Sequence, residues 1–275
     1  IPVPGDDAQV MYVWFDALTN YISTLGWPED VENFEAFWKN GNPTQYCGKD
    51  NNRFQSAMWQ AMLMAADLPN SKQIVINGHI TGDGGIRMSK TLGNVVDPRD
   101  VANKYGVDAL RYFLLKEVSS FEDSPFTMDR FHDSYNSGLV NGLGNLTSRI
   151  LTMSSNYGVS LVESDLETKY YTEAVKELED FDIYQHINNV WSNVSNLNSK
   201  WDSISKLNNF ISENEPFKKI KVDEEGAKKD VHYLLYHLLG IALAIEPMMP
   251  ETSHKILELI KENKKPEAPL FPRID

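Results

Sequence analysis

The chain has 275 residues, 41% hydrophobic and 24% charged, with a formal net charge of −13 and a single cysteine, Cys47. That length suffices for one or two cores, and the composition is ordinary for a globular protein. One cysteine excludes an internal disulfide and any multi-cysteine zinc site within the chain and fits a reducing, cytoplasmic setting, while the negative charge excludes indiscriminate nucleic-acid binding.

The sequence opens "IPVPGDDAQVMYVWFDAL", with no initiator Met, basic leader or cleavage signal, so a fragment lacking its natural N-terminal part is expected. Over the first ~95 residues, β-prone runs alternate with helical patterns, which predicts βαβ units around a parallel sheet. The expected strands are Val10–Phe15, Thr44–Gly48 and Gln73–Ile80. Between the last two, Phe54, Met58, Met62 and Leu63 recur at helical spacing, with Asp50 placed to cap the helix and Pro69 after its end. Next comes "GDGGIRMSKTLGNVVDP", Gly82–Pro98, in which glycines bracket two cations, Arg87 and Lys90. Glycine permits backbone angles and close approaches denied to other residues.

From Asp97 onward the strand signal nearly vanishes. "DPRDVANKYG" has Asp-Pro at a helix start and Gly at its end, and "DALRYFLLKEV" follows. Ser119–Thr127 is the expected hinge. A long helix from about Met128 carries the stripe Leu139, Leu143, Leu146, Ile150 and Met153. Further stripes are Ile183, Ile187, Val190, Val194 and Leu197, then Leu207, Phe210 and Ile211. The last helical region holds Leu234, Leu235, Leu238, Ile241 and Ile245, then Ile256 to Ile260. Amphipathic helices joined by short loops predict a bundle. "LLYHLLGIALAIEPMMP", broken by His237, Glu246 and two prolines, falls short of the ~20 apolar residues of a membrane span and reads as a core helix.

Three clusters carry candidate chemistry. "YCGKDN" ends a strand and opens a helix, the edge where open α/β sheets bind ligands. The free N–H groups of a helix start suit an anion, and Asp50 suits a ribose hydroxyl unless it only caps its helix. "RMSK" in a Gly-flanked loop suits a polyphosphate, since lysine is a compact point charge; a solvated basic turn is the alternative. In "NGLGNLTSRIL", Asn145 and Arg149 stand one helical turn apart beside the apolar stripe, as a helix edge or as a polar pair for unstacked bases.

Together, "VWFDALTNYIS", "CGKDNNRF", "NGHITGDGGIRMSKTLGNVVDP", "YGVDALRYFLL" and the closing "PLFPRI" resemble the class I aminoacyl-tRNA synthetases, methionine-specific members above all. The Lys-Met-Ser-Lys-Ser signature of that family stands here as Arg87-Met88-Ser89-Lys90-Thr91. The resemblance implies an α/β plus all-α fold: the second half of a Rossmann-type catalytic domain over 1–96, a connecting helical segment over 97–127, and a helical anticodon-binding domain over 128–275. It implies a methionine–tRNA ligase fragment whose partners are methionine, ATP with Mg²⁺, and tRNA(Met). Lys90 and Arg87 would be catalytic, and Gly48, Asp50, Arg87, Met88, Ser89 and Lys90 would bind ATP. Trp14, Tyr21, Asn51 and Gln55 would form the amino-acid pocket, and Asn145, Arg149 and Phe217 would meet the anticodon. Asn51 and Gln55 replace an aliphatic residue and a His usual in the family, and Phe217 stands where a Trp is common. The family's first signature belongs upstream of Ile1, so the fragment alone is expected to be inactive. A tRNA-binding module without catalysis, or a synthetase for isoleucine, leucine or valine, are the alternatives.

Overall fold

The computed structural model describes residues 2–162, 178, 181, 183–192 and 202–274. Its contacts fall into two compact units, Ile1–His79 and Ile80–Asp275.

In the first unit, β1 (Pro2–Val3) and β2 (Asp6–Val10) form a short antiparallel pair. The strand expected over Val10–Phe15 ends at Val10, and Val13–Ala17 is helix α1. The reason is spacing. Trp14, Leu18 and Ile22 recur every fourth residue, and Leu18 and Ile22 are buried in a core with Phe34, Trp38, Trp59 and Leu63, against which Trp14 also packs. A helical face that reaches a core outweighs a β-prone composition. Short helices α2 (Asn20–Ser23) and α3 (Val31–Phe34) follow, the latter running on as a wider turn over Glu35–Lys39. The expected βαβ unit is present. β3 (Thr44–Gly48) and β4 (Gln73–Asn77) are parallel, in register from Thr44 opposite Gln73 to Gly48 opposite Asn77. Between them runs a helix whose first turns, Arg53–Met58, are wide and whose remainder is α4 (Trp59–Ala65). The strand expected to reach Ile80 stops at Asn77.

In the second unit, β5 (Ile80–Thr81) pairs in parallel with β6 (Ser124–Pro125). The segment expected as a hinge is bonded into this unit: Phe126 N–H donates to Thr81 O at 2.8 Å, Ser119 N–H to Ser124 Oγ at 3.0 Å, and the Phe126 ring packs 4.7 Å from Phe113. The Asp-Pro start and Gly stop hold for α5 (Pro98–Tyr105): Asp97 accepts from Arg99 N–H at 2.8 Å, and Gly106 leaves the helix at φ +92°. α6 (Val107–Lys116) and α7 (Met128–Ser134) come next. The latter continues through a wide segment, Tyr135–Gly144, into α8 (Asn145–Tyr157), so the long helix expected from Met128 exists. Its stripe Leu139, Leu143, Leu146, Ile150 and Met153 is buried. Then come α9 (Ile183–Trp191), α10 (Ile204–Asn214), α11 (Pro216–Lys219), α12 (Glu224–Ile245) and α13 (Pro250–Glu262). Ile187 and Val190 of the second stripe are buried, while Val194 and Leu197 lie outside the described residues.

One core runs from Val101 to Phe271. Long-range polar contacts lock it. Asp108 on α6 accepts the Thr252 N–H at 2.6 Å, capping α13 from a distance where the preceding Met249 offers no side-chain cap. Arg111 donates to Pro247 O at 2.8 Å, and Tyr135 Oη donates to Pro272 O at 2.8 Å. Gly138 is fixed by a close approach, since a Cβ there would lie 1.8 Å from Tyr112 Oη. In α12 the residues Leu234, Leu235, Leu238, Ile241 and Ile245 of "LLYHLLGIALAI" are buried while Tyr236 and His237 are half-buried, and no helix among the described residues is long and apolar enough to cross a membrane.

Candidate functional site

The "RMSK" loop lies within the second unit and is built by its own backbone. Gly82 N–H donates to Ile86 O at 2.7 Å, and Gly84 and Gly85 take φ of +65° and +75°, which only glycine adopts without strain. Ser89 caps a single turn, Lys90–Leu92, accepting from Leu92 N–H at 3.2 Å. Asn94, which the sequence reading did not single out, clasps the loop from behind: its Oδ1 accepts from Ser89 N–H at 2.8 Å and its Nδ2 donates to Arg87 O at 3.3 Å. A Cβ at Gly82 would come within 3.1 Å of that amide. Met88 packs on the helical core, whereas Arg87 and Lys90 are exposed. The loop therefore holds its middle residue inward and two cations outward, an arrangement suited to anionic oxygens.

In the first unit, Gly48 ends β3 and Lys49–Asn51 form one tight turn. Asp50 does not cap the following helix as expected; its carboxylate lies 3.6 Å from His79 Nε2, and Gly48 leaves room for it, since a Cβ there would lie 2.9 Å from Asp50 Oδ1. The helix needs no side-chain cap there because it is entered through that turn. Burial beside Asp50 pushes the Cys47 thiol up, so it stays protonated at neutral pH.

The pocket candidates gather around this helix. Gln55 is 3% exposed and donates from Nε2 to Tyr21 Oη at 2.8 Å. Tyr21 meets Trp59 at 5.8 Å, and Trp14 stacks on Phe54 at 4.5 Å and 14°. Asn51 is half-buried in the preceding turn. Trp59, unnoticed in the sequence, is buried at the centre of this aromatic set. It also lines a separate apolar cavity of about 570 Å³ with Phe15, Trp27, Met58 and Met62.

In the helical unit, Asn145 is exposed and Arg149 half-buried on consecutive turns of α8. Arg149 Nη1 donates to Asn208 Oδ1 at 3.2 Å, and Asn208 in turn donates to Ile204 O at 3.1 Å. Asn208 thus fixes the guanidinium, a role no local sequence pattern marks. α10 ends at Glu215, φ +42°, and Phe217 follows on α11, 43% exposed with Lys218 Nζ 6.0 Å from its ring centre.

The model of the family "tRNA synthetases class I (M)" matches residues 1–151, which carry both the Gly48–Asp50 turn and the "RMSK" loop. The chain belongs to the class I tRNA synthetase family. Among similar curated proteins, the methionine–tRNA ligase of Fusobacterium nucleatum is 33% identical over 311 residues, covering 100% of this chain and 47% of that protein. That of Caldanaerobacter subterraneus is 36% identical, covering 100% and 46%. Among solved structures, Mycobacterium tuberculosis methionyl-tRNA synthetase in complex with methionyl-adenylate superposes with a TM-score of 0.78 at 30% identity, covering 99% of this chain and 58% of that one. The chain spans about half the length of the curated relatives it matches. Like these synthetases, it combines parallel strand pairs with a large helical content.

Proposed function

We propose that this chain is the C-terminal part of a methionine–tRNA ligase: the second half of a Rossmann-type catalytic domain over 1–96, the connecting segment over 97–127, and an anticodon-binding helical bundle over 128–275. The full enzyme converts methionine and MgATP to methionyl-AMP and pyrophosphate, then esterifies the 3′ end of tRNA(Met) and releases AMP. The observation that carries this reading is the "RMSK" loop, with Met88 seated on the core and Arg87 and Lys90 turned outward on a backbone clasped by Asn94.

The methionine carboxylate attacks the α-phosphorus of ATP, the bond to the β-phosphate oxygen breaks, and charge builds on the departing pyrophosphate. Lys90 and Arg87 offset that charge, Ser89 and the Met88 backbone position the loop, and Gly48 and Asp50 meet the nucleoside, the carboxylate taking a ribose hydroxyl. Contacts that strengthen only in the transition state raise the rate. Trp14, Tyr21, Asn51 and Gln55 take the amino-acid side chain. Gln55 donates to Tyr21 Oη, so the tyrosine's own proton is available to a weak acceptor such as a thioether. Asn145 and Arg149 read base edges of the CAU anticodon, and Phe217 stacks on one base.

The test is methionine-dependent ATP–pyrophosphate exchange by the full-length protein. Lys90→Ala should lower the rate roughly 100- to 1,000-fold, the usual loss for one transition-state donor, with methionine affinity little changed. A collapse of methionine binding at an unchanged rate constant would overturn the assignment. The 275-residue chain alone should stay at background. It should nonetheless bind a CAU stem-loop, and Arg149→Ala should narrow its preference for CAU over a loop changed at the first anticodon base.

A further inference from the structure

Two parallel strands end side by side in the first unit. β3 and β4 keep register until Gly48 stands opposite Asn77, and each then turns away. Two residues past the end of β3 comes Asp50, in the tight turn Lys49–Asn51. Two residues past the end of β4 comes His79. Ligands of open α/β sheets sit beyond such carboxyl ends.

The two side chains meet there. Asp50 Oδ1 lies 3.6 Å from His79 Nε2, and a Cβ on Gly48 would come within 2.9 Å of the same oxygen. That oxygen thus has an imidazole and a bare glycine backbone as its close neighbours. The carboxylate as a whole stays 54% exposed. One oxygen is held while the group still reaches outward, as a carboxylate must to meet a ligand at a fixed angle. The same edge carries an unmatched acceptor. Asn77 donates from Nδ2 to Tyr46 Oη at 3.1 Å, while its buried Oδ1 has no hydrogen-bond partner among the described residues. Buried acceptors are ordinarily paired, so this edge is short of a donor such as a hydroxyl or amino group brings.

We propose that His79 is a positioning residue for the nucleotide: it aims the Asp50 carboxylate so that its second oxygen accepts a ribose hydroxyl. This rests on the ligase reading, which gives Asp50 the ribose, and adds a residue to it. Imidazole donates from Nε2 both as the cation and as the Nε2–H tautomer. Contacts of this kind are often long in the free protein and tighten when the ligand arrives. With Nε2–H on Oδ1 and the ribose hydroxyl on Oδ2, the two donors do not compete.

The experiment is pyrophosphate exchange by the full-length protein, with ATP, 2′-deoxy-ATP and 3′-deoxy-ATP varied in turn. His79→Phe keeps a flat ring and removes the donor. It should raise KM for ATP roughly three- to tenfold, within the range of coupling between neighbouring groups, with kcat within about twofold and KM for methionine unchanged. His79→Gln restores an N–H donor and should recover most of that loss. Asp50→Ala should raise KM for ATP about tenfold or more, as loss of a charged hydrogen-bond acceptor does, and His79→Phe should add nothing to it. The parent should also discriminate against the deoxynucleotide that lacks the hydroxyl Asp50 accepts. His79→Phe should narrow that gap, which a merely structural role would leave in place. Multiplying losses in the double variant would mean that His79 works without Asp50, and an unchanged KM for ATP in His79→Phe would mean that it does nothing for the nucleotide. Either result overturns the proposal. If Asp50→Ala keeps the parent's KM, the ribose assignment falls and the proposal with it, while Lys90→Ala still decides the ligase reading by itself. Should the full-length protein show no exchange, the ligase reading falls, and ATP titrated by calorimetry against the same variants decides the pair.

Discussion

On the proposed function, single side chains set the chemistry of the "RMSK" loop and of the amino-acid pocket. Asn94 has both ends of its amide committed to the loop backbone, at Ser89 and Arg87. Asn94→Ala should therefore leave the two cations present but loosely aimed. In the full-length enzyme the exchange rate should drop about tenfold, less than the loss for Lys90→Ala, because positioning is removed and charge is kept. Asn94→Asp keeps only the acceptor and should fall between parent and alanine; a rate equal to the parent's for Asn94→Ala would show that the clasp does not matter. In the pocket, Gln55 and Tyr21 act through one hydrogen bond. Gln55→Ala and Tyr21→Phe should each raise KM for methionine while leaving kcat within about twofold, and the double variant should cost less than the product of the two. Independent effects would mean that Gln55 acts on the ligand by another route. The sequence marked the Lys90 and Gln55 positions through motifs, but Asn94 and Asn208 were invisible to it. Each is an ordinary polar residue whose role arises only where the chain folds back on itself.

Among the elements, helices met their expectations where local signals agreed. The Asp97-Pro98 start and Gly106 stop of α5 and the buried stripe of α8 are examples, because caps and 3.6-residue spacing are both local. The failure at Val10–Phe15 shows the limit: "VMYVWF" has strand composition, but the partners of Trp14, Leu18 and Ile22, from Phe34 to Leu63, lie farther along the chain than a local pattern spans. Distant support also sets two stability predictions. Asp108→Ala removes the cap that α6 gives α13 and should cost about 1–2 kcal/mol, the upper range for a lost N-cap. For a unit of this size that lowers Tm by roughly 2–8 °C; an unchanged Tm would remove the cap from the account. Glu117, at the end of α6, is half-buried, which raises its pKa. The Lys116 ammonium at 2.6 Å, the Ser134 hydroxyl at 3.0 Å and Arg130 outweigh this and hold it below the usual carboxylate range. A carboxylate with a depressed native pKa stabilises the fold above its unfolded pKa, and that contribution is lost as pH falls through the native value. Tm should thus decline below about pH 4.3, the unfolded glutamate value. Glu117→Gln should flatten that decline, and an identical acid profile would contradict it.

At the scale of the molecule, the two units differ in how completely they cover themselves. In the first, Val10, Met11, Tyr12, Val13 and Phe15 are each 49–72% exposed, and Phe37, Tyr46 and Met64 are also open. β3 and β4 form a parallel sheet of only two strands, although such sheets are normally wide and covered on both faces. The 275-residue chain should accordingly bind a hydrophobic dye such as ANS at pH 7 and associate at high concentration. Val13→Glu with Phe15→Glu should reduce both; dye binding unaffected by that pair would place the sticky surface elsewhere. The second unit closes on itself through contacts that bridge great lengths of chain, Asp108 to Thr252, Arg111 to Pro247 and Tyr135 to Pro272. This has a consequence for its birth on the ribosome. At roughly 5–20 residues per second, the partner of Tyr135 is polymerised about seven to twenty-seven seconds after the tyrosine itself. For that interval the nascent helices wait with their apolar stripes unmatched, so translation speed over residues 135–272, and the chaperones present while it runs, govern how many newborn chains reach the native state.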